Sequence, residues 1–297
     1  MREKVCLLLA SLALLGTERA SSGMAAEASG AAPAPAGIRL IVRGDDIGSA
    51  HAANLACIEA YKKGIVRSVE IMAPCSWFLE AVKLLEEVPD LDVGVHLTLT
   101  SEWENYKWRP LTSCPSLVDR DGYFFPTIWP SERFPASMAL RSQKWSLEEV
   151  EKELRAQIEL ARRHVPRISH LSYHMGCDSF DPRVRELCSK LAAEYKLDID
   201  PSRSGVKYFP LRAKGETIED RVAGFTEALR KLEPGTTYLF VEHPGLDVPE
   251  MQAIGHFGYS DVARDRALVT RTFTDEKIRK VIEERGIQLI AYKDLKR

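Results

Sequence analysis

The chain has 297 residues, of which 45% are hydrophobic and 28% are charged, an ordinary composition for a globular protein with enough apolar side chains for a large core. Its 41 basic and 43 acidic residues give a formal net charge of −2, which provides no electrostatic basis for binding nucleic acid or an anionic membrane. The 6 cysteines form no C-x-x-C pair, so neither a zinc knuckle nor a disulfide scaffold is indicated.

The N-terminus has the pattern of a targeting segment. A basic start over residues 1–4 precedes an apolar stretch over residues 5–16 that is too short to span a bilayer comfortably, and small residues follow. This pattern predicts a signal peptide over residues 1–28, after which the Ala- and Pro-rich residues 29–37 form a flexible linker. We therefore expect a periplasmic or secreted protein without a membrane anchor.

After the linker, residues 38–297 alternate between strand-like apolar runs and helix-like amphipathic stretches. The predicted strands lie at 38–45, 66–73, 91–99, 168–174, 197–199, 237–242 and 287–291. The predicted helices lie at about 50–63, 76–87, 146–164, 181–194, 217–232 and 274–285, followed by a short tail helix. About seven β/α repeats in one continuous pattern predict an α/β protein, a distorted TIM-like (β/α) barrel in a single domain with long loops.

Two long insertions, residues 101–144 and 246–273, interrupt this pattern and contain many aromatic side chains. Loops of this length inside a compact enzyme are usually functional. Aromatic rings above a catalytic face suit sugar rings, so we expect Trp103 and Trp108 to bind substrate, together with the cationic Arg203. The alternative is that the aromatic rings only pack the loops onto the barrel.

Four apolar runs within or at the predicted strands each end in an aspartate or a histidine: Asp45 and Asp46, then His96, His174 and His243. The carboxyl ends of parallel strands share one face, so these groups together indicate a divalent metal with an acid and a base beside it. One aspartate would complete a ligand set with His96 and His174, and the other would be free to take a proton from water. His243 is placed to donate a proton to a leaving group. The alternative is that each side chain only caps its own loop.

Short motifs around these residues occur in a characteristic order: Gly44-Asp45-Asp46-Ile47-Gly48, Val66-Arg67-Ser68, Gly94-Val95-His96-Leu97-Thr98, Ser169-His170-Leu171-Ser172-Tyr173-His174 and His243-Pro244-Gly245. In these motifs the chain resembles the YdjC-like carbohydrate deacetylases, which include the chitooligosaccharide deacetylases, over nearly all of the sequence after the linker. The resemblance implies a distorted (β/α) barrel and a divalent metal ion held by Asp46, His96 and His174. It also implies that Asp45 is the base and His243 the acid in removal of an N-acetyl group from an amino sugar.

The match to that family is incomplete near His174. The family usually has an Asp and a Ser just before this residue and further His two and four residues after it, where this chain has Ser172, Tyr173, Gly176 and Asp178. Glu70 also stands where the family tends to have a small hydroxyl residue. These departures bear on which substrate the protein accepts. They do not bear on metal binding, because the three implied ligands are retained.

Together these features predict a metal-dependent hydrolase that removes N-acetyl groups from amino-sugar oligosaccharides or glycans outside the cytoplasm. The expected cofactor is one divalent ion, with Mg²⁺ and Zn²⁺ as candidates, and the expected partner is an N-acetylated sugar, with a homodimer left open. The alternatives are another metal-dependent hydrolase on the same barrel, such as a phosphoesterase, and a non-catalytic glycan-binding protein. Binding alone needs neither an acid nor a base, so the presence of Asp45, Asp46 and His243 together argues against the last alternative.

Overall fold

The computed structural model describes residues 37–211 and 215–295. The predicted signal peptide at 1–28 lies outside these residues, and so does the predicted linker at 29–37 except for its last residue. Within the described ranges, no helix is long and apolar enough to cross a membrane. Five cysteines lie in this part of the chain, and all of them are free and buried.

Seven strands and eight α-helices alternate along the described residues. The strands are β1 (Arg39–Ile47), β2 (Ser68–Ile71), β3 (Asp92–Leu97), β4 (His170–Tyr173), β5 (Lys207–Tyr208), β6 (Thr237–Glu242) and β7 (Gln288–Ile290). The α-helices are α1 (His51–Lys62), α2 (Phe78–Glu86), α3 (Leu147–His164), α4 (Pro182–Glu194), α5 (Ile218–Arg230), α6 (Pro249–Gln252), α7 (Val262–Thr274) and α8 (Glu276–Glu284). Short 3₁₀-helices lie at Pro115–Leu117, Ala136–Met138, Leu140–Ser142, His174–Gly176 and Tyr292–Asp294.

All strand pairs of the sheet are parallel, so the carboxyl ends of the strands lie at one edge. The strand order is β4-β3-β2-β1-β6-β5. Strand β7 pairs with the first residues of β1, whereas β2 pairs with β1 from Arg43 onward. Strand β6 pairs along the opposite side of β1. The strands β7 and β2 therefore lie one after the other along the remaining side of β1. The sheet forms half of a barrel with the helices around it, which confirms the predicted distorted (β/α) barrel in a single domain.

Strand β1 is the centre of the sheet and is buried along almost its whole length. A parallel strand covered on both faces has an apolar sequence, as residues 40–42 do here, and the charged residues lie toward the two ends, with Arg39 before this run and Arg43, Asp45 and Asp46 after it. Helix α1 follows β1 and buries the small side chains of Ala52, Ala53 and Ala56, which allow it to lie close to the sheet. The position of this helix constrains the turn that carries Asp46.

The predicted strand at 197–199 is wrong. Leu197 and Ile199 are buried, as an alternating strand pattern requires. However, the amide of Leu197 donates a hydrogen bond to the carbonyl of Ala192 at 2.7 Å and thereby closes the end of α4. The sheet continues instead at β5, whose two residues pair with β6.

Helix α7 lies almost entirely inside the insertion at 246–273 and was not predicted from the sequence. Asp275 ends this helix with an extended backbone, φ −69° and ψ 133°, and accepts a hydrogen bond from the amide of Lys277. The same residue is therefore the N-cap of α8, which begins at Glu276 rather than at the predicted residue 274. Helix α7 matters for function because it carries an arginine into the site described below.

A glycine in β3 makes room for two charged side chains on one face of the sheet. The register places Gly94 between Glu70 of β2 and His170 of β4. A Cβ atom on Gly94 would lie 2.2 Å from Glu70 Oε2 and 2.5 Å from His170 Nε2. The two side chains meet across the glycine, with His170 Nε2 at 2.7 Å from Glu70 Oε1, and both are fully buried.

Gly94→Ala should destabilise the fold, because the new methyl group occupies the space in which Glu70 and His170 meet. We expect the free energy of unfolding to fall by about 1–3 kcal/mol, the usual cost of overpacking. Urea denaturation measures the change, and Gly37→Ala is the control because a Cβ atom there meets no other atom within 4 Å. Wild-type stability of Gly94→Ala would contradict this packing.

Candidate active site

The chain turns sharply at the carboxyl end of β1 and presents Asp46. This residue has φ of +68°, in the left-handed region that residues other than glycine rarely adopt. The turn is held by the amide of Ser49, which donates to the carbonyl of Asp46 at 3.1 Å, and by the amide of Gly48, which donates to Asn54 Oδ1 at 2.6 Å. Backbone strain of this kind persists only where the surrounding structure over-determines it, and it clusters at functional sites.

Asp46, His96 and His174 come together at this edge of the sheet. Asp46 Oδ1 lies 3.7 Å from Nε2 of His96 and 3.6 Å from Nδ1 of His174. One potential ligand atom from each residue lies within 4.8 Å of the others, and all three residues are buried. Asp46 Oδ1 is buried and accepts no hydrogen bond from the described residues. This donor set fits a divalent metal ion, for which carboxylate and imidazole are common ligands.

Each of the two imidazoles directs its second ring nitrogen at a neighbouring oxygen. His96 Nδ1 lies 2.7 Å from Ser172 Oγ, and His174 Nε2 lies 3.1 Å from Glu102 Oε2. Contacts of this kind orient histidines that bind metals in proteins. Glu102 was not predicted as a site residue, because it lies in the aromatic insertion and does not follow a predicted strand directly.

The other carboxylate oxygen of Asp46 is held by a buried arginine of α7. Arg266 Nη2 donates a hydrogen bond to Asp46 Oδ2 at 3.0 Å, and His243 Nε2 lies 3.9 Å from the same oxygen. Burial by itself would raise the pKa of Asp46, but the positive charges nearby, chiefly those of His243 and Arg266, outweigh it and hold the pKa well below its usual value. Asp46 is therefore ionised at neutral pH.

The two histidines differ in charge although both are buried. Burial lowers the pKa of His96 to about 4, so its ring is neutral near pH 7. Burial also opposes a charge on His174, but Glu102 and Asp46 outweigh it and raise the pKa of His174 to about 10. A metal ion that binds Nδ1 of His174 therefore has to displace a proton.

Asp45 lies beside this group and is paired with Arg43. Arg43 Nη2 donates to Asp45 Oδ2 at 2.8 Å, and Arg43 Nη1 donates to the hydroxyl of Tyr292 at 2.8 Å. Asp45 Oδ2 is also 3.8 Å from His96 Nε2. Arg43 therefore fixes the direction of a carboxylate that borders the three potential ligands.

His243 is the most accessible residue of the group. Its side chain is 39% exposed, whereas the side chains of Asp46, His96 and His174 are exposed by no more than 4%. A molecule that enters from solvent can therefore reach His243 without any rearrangement of the buried residues. The structure thus brings all five predicted catalytic and metal-binding residues together, and their chemical roles stay predictions.

The two tryptophans expected to bind substrate are buried. Trp103 is 4% exposed, and its ring stacks on His256 at 5.4 Å between centroids and lies 5.3 Å below the guanidinium of Arg266. Trp108 is 3% exposed, and its Nε1 donates to the carbonyl of Thr100 at 2.7 Å. Rings buried this far offer little surface to a sugar in this conformation, and their substrate role stays a prediction.

Arg203, the third residue expected to bind substrate, lies apart from these rings. Its side chain is exposed and pairs with Asp200 at 3.4 Å. It lines a cavity of about 470 Å³ that also reaches Arg43 and Tyr292. Arg203 therefore shares a cavity with Arg43, the partner of Asp45, and its role stays a prediction.

A family model described as YdjC-like protein matches residues 39–284. The chain belongs to the YdjC-like family. A carbohydrate deacetylase from Geobacillus stearothermophilus is 28% identical to this YdjC-like chain over 269 residues, which cover 86% of the chain and 96% of the relative. A carbohydrate deacetylase from Thermus thermophilus is 33% identical over 237 residues, which cover 72% of the chain and 80% of the relative.

Among solved structures, the YdjC-like chain is similar to a crystal structure from Enterococcus faecalis whose protein is named for the cleavage of cellobiose phosphate. The TM-score is 0.68 at 25% identity, and the match covers 87% of this chain and 98% of the other. The family resemblance inferred from the motifs is therefore confirmed.

The same matches overturn the predicted periplasmic or secreted location. The family model starts at residue 39, and 86% of this YdjC-like chain accounts for 96% of the Geobacillus relative. Residues 1–28, from which the location was predicted, lie outside the residues that the family model matches. The prediction depended on these residues alone and is wrong.

Arg266→Met should destabilise the metal-free protein, because it leaves the Asp46 carboxylate buried without its arginine partner. Removing one member of a buried ion pair costs about 3–5 kcal/mol in free energy of unfolding. Arg264→Met is the matched control, since Arg264 lies on the exposed face of the same helix, and its cost should stay within about 0.5 kcal/mol. Chemical denaturation without metal measures both values, and equal losses would contradict the role of Arg266.

Proposed function

We propose that this YdjC-like protein is a metal-dependent deacetylase that removes N-acetyl groups from amino-sugar oligosaccharides. The observation that carries the proposal is the buried Asp46 Oδ1, which faces His96 Nε2 and His174 Nδ1 and accepts no hydrogen bond from the described residues. Asp46, His96 and His174 would hold one divalent ion, with Mg²⁺ and Zn²⁺ as candidates. The names of the Geobacillus and Thermus relatives, both carbohydrate deacetylases, support the substrate class.

We assign the two proton transfers to Asp45 and His243, which border different members of this ligand set. A divalent ion bound there supplies Lewis acidity toward the acetyl carbonyl and toward water. Asp45, aimed by Arg43, accepts the proton of the attacking water as general base. His243, open to solvent, donates a proton to the departing amine as general acid. Asp45 borders His96 and His243 borders Asp46, so the proposed base and the proposed acid are separate groups of this site.

The charges at the site favour an amide substrate over a phosphate ester. A phosphate ester group carries a charge of about −1.5 to −2 at pH 7 and needs cationic partners. The two arginines at this site, Arg43 and Arg266, are each paired with one of the adjacent aspartates, Asp45 and Asp46. An acetamide group carries no charge and needs no such partner, so we place the phosphoesterase second. A protein that only binds glycans has no need of a base and an acid at these positions.

The proposal is tested by acetate release from a panel of N-acetylated sugars and phosphate esters, with metal-depleted protein refilled by single divalent ions. We expect acetate from the amino sugars and no phosphate from the esters. His96→Ala and His174→Ala should lose both metal and activity while the circular dichroism spectrum stays that of the wild type. His164→Ala, at the end of α3 and packed on Phe78, is the control outside the site.

Two results would contradict the proposal. If His96→Ala or His174→Ala binds one equivalent of metal as tightly as the wild type, the ligand assignment is wrong. If the refilled wild-type protein releases phosphate and no acetate, the second candidate function replaces the first.

His243→Asn should identify the acid. With Asp45 as base and His243 as acid, kcat/KM should be bell-shaped in pH, and the alkaline limb should follow loss of the His243 proton. The variant should keep its metal, lose roughly 10²–10⁴ in rate and lose the alkaline limb, since general acid catalysis typically contributes this much. A pH–rate profile of the variant that keeps the wild-type alkaline limb would assign the acid role to another group.

A further inference from the structure

The predicted metal site lies against a second buried cluster, whose carboxylate has no place in the chemistry described so far. Glu70 of β2 is fully buried, and its Oε1 lies 2.7 Å from Nε2 of His170. Its other oxygen, Oε2, accepts a hydrogen bond from the hydroxyl of Ser172. Ser172 Oγ lies in turn 2.7 Å from Nδ1 of His96, so an unbroken series of contacts joins Glu70 to a predicted ligand.

The sheet register produces this series. Ser172 of β4 is paired with His96 of β3, and His170, two residues earlier on the same face, is paired with Gly94. Gly94 is paired on its other side with Glu70, and its lack of a side chain lets Glu70 reach across β3 to both residues of β4. A larger residue at position 94 would separate Glu70 from Ser172.

The direction of the hydrogen bonds follows from which groups have protons to give. An ionised carboxylate only accepts hydrogen bonds, so Ser172 directs its single proton to Glu70. The oxygen of Ser172 is then left to accept a proton from His96, which must carry it on Nδ1. His96 Nε2 is consequently without a proton on the side that faces Asp46.

The ionised state of Glu70 agrees with its surroundings. Burial would raise the pKa of Glu70, but the neighbouring His170 and Arg43 outweigh burial and lower it. His170 is itself held in place, because its ring stacks on Tyr292 with centroids 3.9 Å apart and planes 6° from parallel. Ser169 Oγ lies 2.7 Å from its Nδ1.

We propose that Glu70 is a positioning residue that acts through Ser172 to hold His96 in the tautomer whose Nε2 can bind the metal ion. The proposal rests on the proposed function, since it assigns a purpose to Glu70 only if His96 is a ligand. A role in packing alone accounts less well for the buried pair of Glu70 and His170. Replacing such a pair by apolar side chains of similar volume often leaves a protein equally stable or makes it more stable.

The first test is the tautomer of His96 in the metal-free full-length protein, measured by ¹⁵N NMR of the histidine rings and assigned with His96→Gln. The wild type should show His96 protonated on Nδ1 alone. Ser172→Ala should show a mixture of the two tautomers, and so should Glu70→Gln, whose amide group can donate to Ser172 where the carboxylate could only accept. Protonation of His96 on Nε2 in the wild type would overturn the proposal.

The second test is metal affinity, measured by competition with a chelator. Ser172→Ala and Glu70→Gln should each weaken metal binding by about 10–100-fold, as loss of a residue that orients a ligand typically does. The double variant should be no weaker than Ser172→Ala beyond about twofold, because Glu70 acts only through Ser172. Losses that multiply in the double variant would mean that Glu70 acts independently of Ser172 and would overturn the proposal.

Ser68→Ala is the matched control for Ser172→Ala. Ser68 is a fully buried serine of the same sheet, and its hydroxyl donates to Asp92 at 3.1 Å instead of contacting a predicted ligand. It should leave both the tautomer of His96 and the metal affinity unchanged, and a loss equal to that of Ser172→Ala would overturn the proposal. If Glu70→Gln fails to fold, Ser172→Ala and its control still decide the question.

The two proposals fail in different ways. If the wild type binds no divalent ion, the proposed function fails, whatever the tautomer of His96. If the wild type binds the ion and both variants bind it equally well with the wild-type tautomer, only the role of Glu70 fails.

Discussion

A carboxylate buried as deeply as that of Asp46 loses its hydration, and this loss costs several kcal/mol in real proteins unless opposite charges and hydrogen-bond donors replace the water. In this YdjC-like protein the replacement is unequal for the two oxygens. Arg266 donates to Oδ2, whereas Oδ1 faces two ring nitrogens and accepts no hydrogen bond from the described residues. The environment therefore keeps Asp46 charged and leaves one oxygen available for a cation.

The backbone supports the same arrangement. A left-handed conformation at a residue with a side chain costs free energy, and here the turn into α1 and the anchor on Asn54 maintain it. The turn directs the side chains of Asp45 and Asp46 toward different arginines, so that Asp45 pairs with Arg43 and Asp46 pairs with Arg266. The two adjacent carboxylates both border His96 but have different arginine partners, which allows one to act as a base and the other as a metal ligand.

Beside this edge of the sheet, polar side chains take positions that an ordinary apolar core would fill. Strand β2 carries Glu70, strand β4 carries His170 and Ser172, and Gly94 of β3 between them provides the space in which they meet. Buried polar groups favour one arrangement strongly when every member has a partner. The cluster therefore makes the position of His96 depend on strand register and not only on the rotamer of its own side chain.

The sequence by itself determined the α/β alternation and the strand-end positions of Asp45, Asp46, His96, His174 and His243. These follow from local patterns and from the shared edge of parallel strands, and they required no knowledge of packing. The unpaired segment at 197–199 and the helix α7 were not predictable in this way, because the same apolar spacing occurs in a strand, a buried turn and a helix. Only the tertiary structure decided that Arg266 contacts Asp46, 220 positions away in the chain, and that Glu70 reaches Ser172 across Gly94. Contacts of this kind depend on strand register and on the position of a helix. Local sequence patterns predict neither, because the residues in contact lie far apart in the chain.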